Sequence, residues 1–252
     1  MAVESAIILA EANLEELSMN PFPGSGIVMG RSEDGRLDVQ IYWVMGRMEG
    51  SRNRILVFQE GIVRTEPYFP SKIWHDPGLI FYNNMKVSSD RHQVVSNGSQ
   101  TDLIAGDEAS DELYDVLWSV KHETDAPNFT PRISGIFYNR ATDPEMRMQF
   151  SKISCDPSNP EESIHAVYEY RSLPPGLGYC LHTYNGDGNP LPSFNRDPYL
   201  VPIPKPVEIA GKYWQALNRE NRVALAVKGI NRETGKVHHR IVNAHNTQPP
   251  PV

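Results

Sequence analysis

Residues 3–18 repeat apolar side chains on one face, with no Gly or Pro among them, and this spacing predicts a helix. Asn20-Pro21-Phe22-Pro23-Gly24 stops it. Short runs rich in β-branched and aromatic residues follow, which predict strands at Gly26–Gly30, Val39–Met45, Ile55–Gln59, Ile62–Glu66, Leu79–Val87 and Gln93–Ser96. Glu33-Asp34-Gly35-Arg36 reads as a turn and Glu60-Gly61 as a hairpin turn, while Ser88-Ser89-Asp90 joins the last two strands. Leu113, Val116, Leu117 and Val120 return to helical spacing and predict a helix over Asp111–His122, capped by Ser110 or Asp111. More strands are predicted at Ile133–Tyr138, Met146–Ile153, Ile164–Tyr170 and Leu177–Tyr184. The Gly- and Pro-rich stretch 185–206 reads as a long loop of the kind that serves as a lid or binding loop. A helix near Val207–Asn218, a strand at Arg222–Val227 and a disordered tail ending in Pro249-Pro250-Pro251 complete the pattern.

Strands in groups with few helices between them predict an α+β fold with large antiparallel sheets. Neither an internal repeat nor a Pro/Ser linker divides the chain, so a single domain is expected, and 252 residues suffice for a substantial core. The net charge of −7 argues against a nucleic-acid partner, which calls for a clustered basic surface, but not against a small anion held by a few arginines. Apolar residues near the N-terminus are interrupted by Glu4, Glu11, Glu15 and Glu16, and no stretch reaches membrane-spanning length. A cytoplasmic protein without a membrane partner is therefore expected, with Cys155 and Cys180 as reduced thiols.

Three polar runs stand at the edges of apolar, β-prone stretches: Phe81-Tyr82-Asn83-Asn84, Ser96-Asn97-Gly98-Ser99-Gln100-Thr101-Asp102 and Asn128-Phe129-Thr130-Pro131-Arg132. Together they supply a phenol, amides, hydroxyls, a carboxylate and a guanidinium, which suits a polar, heavily hydrogen-bonded substrate such as a nucleotide. Each run also has a plainer reading. Tyr82 fits a core residue with its hydroxyl at the rim, although two adjacent asparagines are costly to bury unpaired. Asn97-Gly98 on its own is more simply a turn. Arg47, Arg52 and Arg54 lie in a Gly/Ser/Asn-rich turn that is either an anion site or a solvated basic hairpin tip. His122-Glu123 and His238-His239 lack the spacing of a zinc helix, and the second pair reads as surface. The chain has no phosphate-binding Gly-rich fingerprint, and Gly24-Ser25-Gly26 has the wrong spacing for a nucleophile elbow.

Taken in order, Gly26-Ile27-Val28-Met29-Gly30-Arg31, Ser51-Arg52-Asn53-Arg54, Tyr82-Asn83, the 97–102 run and the 128–132 run resemble the archaeal-type IMP cyclohydrolases. His182-Thr183-Tyr184-Asn185-Gly186-Asp187-Gly188-Asn189-Pro190-Leu191-Pro192-Ser193-Phe194 is similar to bacterial relatives of that group. The resemblance covers roughly residues 20–230. It implies a four-layer αββα sandwich like that of the N-terminal-nucleophile hydrolases, without their self-processing nucleophile. It also implies closure of 5-formamidoimidazole-4-carboxamide ribotide to IMP, with loss of water and no cofactor or metal. On this resemblance residues 1–20 form a helical extension, 21–245 the catalytic domain and 246–252 a Pro-rich tail.

The family's catalytic residues carry over onto Arg54, Tyr82 and Glu123, with Asp125 a rival to Glu123 because the spacing to Thr130-Pro131-Arg132 differs by a residue. The turn from Arg47 to Arg54 is longer than in archaeal members, which leaves the division of labour among the arginines open. Asn83, Asn97, Asp102 and Asn128 are expected to orient carboxamide, imidazole and ribose, and Arg47 and Arg132 to meet the phosphate. The expected partner is a purine nucleotide, and homo-oligomerisation is left open. The alternatives are a non-catalytic purine-nucleotide-binding relative and an amidohydrolase on the same fold.

Overall fold

The computed structural model describes residues 3–72, 77–88, 91–106, 112–138 and 146–245. After helix α1 (Val3–Met19) come strands β1 (Gly26–Arg31) and β2 (Leu37–Met45), the short helix α2 (Glu49–Arg52), and the hairpin β3 (Arg54–Gln59) and β4 (Ile62–Pro67). Strands β5 (Asn83–Val87) and β6 (Gln93–Ser96) precede helices α3 (Gln100–Gly106) and α4 (Leu113–Leu117). Strands β7 (Arg132–Phe137), β8 (Arg147–Asp156), β9 (Asn159–Arg171), β10 (Leu177–His182) and β11 (Tyr199–Pro202) follow. Helix α5 (Ile209–Ala216) and the hairpin β12 (Arg222–Asn231) and β13 (Val237–Asn243) close the described chain.

The strands form two antiparallel sheets among the described residues, in the orders β11-β10-β1-β2-β12-β13 and β3-β4-β5-β6-β7-β8-β9. The fold is thus mixed helix and strand, dominated by antiparallel sheet. Strand periodicity decides which side chains meet: on β2, Tyr42 and Val44 join the cluster between the sheets, whereas Val39, Ile41, Trp43 and Met45 face α1 and α5. Met85, Val95, Ile133 and Phe150 of the second sheet enter the same inner cluster, while Val94, Ile136 and Ile153 pack against α3 and α4. Asn243 ties the sheets at one edge, its side chain accepting from the Leu56 amide at 2.9 Å and donating to the Leu56 carbonyl at 3.1 Å.

Several expectations change. Residues 79–82 are not strand: Pro77–Leu79 make a 3-10 turn, and β5 starts only at Asn83. The helix expected over Asp111–His122 is limited to α4, with Ser110 and Asp111 outside the described residues. Val120 still packs on the α3–α4 cluster, but its amide closes a turn onto Leu117, so the backbone departs and carries His122 and Glu123 inward. The Asn97-Gly98 turn exists and runs straight into α3.

The 185–206 stretch contains β11, an edge strand in which Pro202 is tolerated. β13 escaped the pattern because His238 and Arg240 occupy its solvent side. Its other face is half-buried, and His239 stacks on Phe58 at 4.1 Å, so that histidine is not a surface residue. The C-terminal tail lies outside the described residues. No helix among the described residues is long and apolar enough to cross a membrane.

Candidate functional site

Antiparallel neighbours bring alternate strand ends to the same edge of a sheet, and here the two sheets share such an edge. Ser25 just before β1, Met45 ending β2, Arg54 opening β3, Tyr82 before β5, Asn97 after β6, Thr130 before β7 and Thr183 after β10 all line one cavity. Its volume is about 280 Å³. That is at the small end of the roughly 300–1,000 Å³ usual for small-molecule sites, room for a mononucleotide-sized ligand rather than a polymer.

Arg54 is buried, and its guanidinium is fixed by carbonyls: Nε donates to Ser51 O and Nη2 to Met45 O, both at 2.7 Å. Peptide dipoles hold the fork and leave its positive charge to act on the cavity. That charge acts on Tyr82, whose hydroxyl lies 3.2 Å from that of Tyr42. Burial pushes the Tyr82 phenol above its ordinary range, while the Arg54 charge and the neighbouring Tyr42 hydroxyl pull it back.

Glu123 is buried and approached end-on by Arg132, with Nη1 2.8 Å from Oε1 and Nη2 3.0 Å from Oε2. Such a two-point pair fixes the plane of the carboxylate. Arg132 is anchored in turn, Nη1 donating to Gln100 Oε1 at 2.8 Å and Nε to Lys121 O at 2.9 Å. Gly98 makes room for this knot. A Cβ there would stand 2.4 Å from Gln100 Oε1 and 2.6 Å from Arg132 Nη1. Asp125 also lines the cavity, but both its oxygens are engaged by Thr130, one by the amide at 2.7 Å and one by the hydroxyl. Thr130 is also bonded to the Tyr184 hydroxyl, and burial drives that phenol well above its usual range.

Arg54, Tyr82, Glu123, Asp125, Arg47, Asn97 and Asn128 all line the cavity. The remaining candidates do not. Arg132 pairs with Glu123 without lining the cavity itself. Asn83 donates to both oxygens of Asp102, at 2.9 and 3.1 Å, and Lys86 joins them at 2.8 Å in a partly exposed cluster away from the lining. Asn84 turns the other way and is buried, accepting from Thr65 Oγ1 at 2.8 Å.

Asn97 and Asn128 reach the lining but spend their amides on structure. Asn97 bridges β6 to β7 by donating to Pro131 O at 2.9 Å and accepting from Ile133 N at 2.7 Å. Asn128 Oδ1 accepts from Leu191 N at 3.0 Å. Arg47 lies over the Phe22 ring at 5.1 Å, is ion-paired with Asp187 and donates to Gly188 O at 2.8 Å. The 184–191 segment is therefore fastened to the cavity wall at Thr130, Arg47 and Asn128.

Ser25, Thr183 and Tyr184 are lining residues that spacing rules passed over. Ser25 N donates to Thr183 Oγ1 at 3.1 Å and Thr183 N to Ser25 O at 3.0 Å, which couples the ends of β1 and β10. Their signal was positional: polar residues where an apolar strand meets a Gly-rich turn. His122 points elsewhere, its Nδ1 2.8 Å from Ser163 Oγ, and burial lowers its pKa. No group of three or more His, Cys, Asp or Glu side chains among the described residues is placed to hold a metal.

A fixed cation, a phenol and a fixed carboxylate around one small cavity are equipped to polarise a carbonyl oxygen and to move protons beside it. Residues 22–235 match the family model described as IMP cyclohydrolase-like protein, which takes in most of the chain and leaves α1 before it. No curated protein matches the sequence closely enough to add a relative.

Proposed function

This chain belongs to the IMP cyclohydrolase-like family, and from that membership and the chemistry of the cavity we propose that it closes 5-formamidoimidazole-4-carboxamide ribotide to IMP, a step of purine synthesis. The observation that carries the reading is the convergence of Arg54, Tyr82 and Glu123 on one mononucleotide-sized space.

The carboxamide nitrogen is a poor nucleophile because its lone pair is delocalised. Holding it against the formyl carbon of the same molecule can supply roughly 7–11 kcal/mol of the barrier in favourable cases. The bond from nitrogen to the formyl carbon forms as the C=O π pair moves onto oxygen. Arg54 stabilises that charge, and Tyr82 gives the oxygen its hydrogen. Glu123 takes the hydrogen released by the nitrogen. In the second half Glu123 returns this hydrogen to the hydroxyl, which leaves as water. The formamido nitrogen surrenders its hydrogen to Tyr82 as the C=N bond forms. Both groups end the cycle as they began it, and no redox partner enters the balance.

Arg47 is the phosphate candidate, exchanging Asp187 for the ligand. Arg132 acts on the carboxylate. In this reading the two antiparallel sheets and the helices packed on them form an αββα sandwich like that of N-terminal-nucleophile hydrolases, with residues 21–245 as one cytoplasmic catalytic domain and α1 as an addition.

Absorbance-monitored conversion of the ribotide in EDTA, alongside Tyr82→Phe, tests the reading. Turnover that survives EDTA and falls sharply in the variant is expected. IMP binding without turnover would make the protein a nucleotide-binding relative instead.

A further inference from the structure

Tyr42 sits on the inner face of β2 with no exposed surface, between its register partners Ile27 and Ala226. It does not line the cavity, yet its hydroxyl lies 3.2 Å from that of Tyr82, which does. A polar hydroxyl at this depth costs stability unless it is paired, and its partner here is the cavity's own Tyr82 hydroxyl.

The direction of the Tyr42–Tyr82 bond follows from where negative charge is tolerated. Tyr42 is packed in the apolar cluster between the sheets, whereas Tyr82 is half-buried at the cavity. Of the charged groups acting on Tyr82, Arg54 on β3 favours its phenolate and Glu123, in the segment after α4, opposes it. Burial raises both phenols, Tyr42 the further of the two. Tyr42 thus keeps its hydrogen and Tyr82 is the acceptor.

We propose that Tyr42 is a positioning residue for Tyr82, donating its hydroxyl hydrogen to the Tyr82 oxygen so that the Tyr82 hydrogen is turned to the cavity and the phenolate left after its transfer is stabilised. The chemical consequence rests on the cyclohydrolase reading; the coupling of the two phenols does not. When the Tyr82 O–H bond breaks toward the substrate oxygen, the electron pair stays on Tyr82, and a neutral hydrogen bond becomes one to a charged group. The gain at that moment is roughly ten- to a hundredfold in rate.

Tyr42→Phe removes the hydroxyl and keeps the ring. In protein labelled with [13Cζ]tyrosine, with the Tyr82 resonance assigned by its loss in Tyr82→Phe, Tyr82 should ionise at higher pH in Tyr42→Phe than in the wild type. With the ribotide as substrate, kcat should fall about ten- to a hundredfold at little change in KM, and the alkaline limb of the kcat profile should move upward. A second protein with 3-fluorotyrosine at position 42 keeps the packing and makes the donor stronger, so Tyr82 should then ionise at lower pH. An unchanged Tyr82 titration in both variants would overturn the proposal. Absence of wild-type turnover would instead remove the assigned reaction, while the titrations still decide whether the phenols are coupled.

Discussion

Arg132 and Glu123 meet through two parallel contacts of 2.8 and 3.0 Å, and of the two only the carboxylate lines the cavity. The guanidinium therefore sets the orientation of Glu123 without lining the space a ligand would fill. Arg132→Met should lower kcat by one to two orders of magnitude while leaving Kd for IMP within about threefold. Both side chains are largely buried, so removing the guanidinium from beside the carboxylate should also cost about 3 kcal/mol in urea unfolding. Glu123→Gln in the same background should recover much of that stability and none of the activity. A large loss of IMP affinity in Arg132→Met would place the arginine on the ligand after all.

Arg47 is engaged by Asp187 and by the Gly188 carbonyl. An anion reaching Arg47 must displace that carboxylate. Asp187→Asn should tighten IMP binding severalfold, and Arg47→Ala should weaken it at least tenfold, both read by calorimetry. Unchanged affinity in both variants would separate Arg47 from the phosphate.

Gly98 borders Gln100, Arg132 and Glu123, and an added Cβ would fall under 3.0 Å from the first two. Gly98→Ala should depress kcat through displacement of the Arg132–Glu123 pair, with a smaller effect on IMP affinity. Wild-type kinetics would show that the knot yields without consequence.

Lys228 lies on the inner face of β12, fully buried, with Nζ unpartnered among the described residues. Burial lowers its pKa from 10.5 to about 7. Between those values the unfolded chain carries the proton and the folded chain does not, so stability rises with pH across that window. Urea unfolding should gain on the order of 1 kcal/mol per pH unit between about 7.5 and 9.5. Lys228→Met should flatten that rise and be more stable at pH 7 by up to about 5 kcal/mol. A slope equal in wild type and variant would exclude Lys228 as its source.

His239 and His182, held down by burial to about 4 and about 3, act on the acid side. Both bind protons more readily unfolded, so stability should fall as pH drops below about 6.5. Phe at both positions should reduce that loss in acid unfolding curves. An unaltered acid limb would assign it to the carboxylates.

By itself the sequence determined the antiparallel strand content, the Glu60-Gly61 hairpin, helices α1 and α5, and a set of polar strand ends suited to a small polar ligand. These features follow from local periodicity and turn chemistry, which act between residues close along the chain. The bounds of α4, the departure of 118–123 from helix and the burial of β13 depended on partners far away in sequence.

The same holds within the site. Asn83 and Asn84 are adjacent and equally polar, yet one joins a partly exposed cluster and the other is buried against Thr65. Arg132 and Arg54 are both anion ligands by type, but of the two only Arg54 lines the cavity, and Arg132 is spent on Glu123. Tyr42 has the pattern of an ordinary core tyrosine, and only the meeting of the two sheets sets its hydroxyl beside Tyr82. Residue type and spacing fix what a side chain can do. Which of them share a charge, a proton or a cavity is decided by contacts between strands that the chain order does not encode locally.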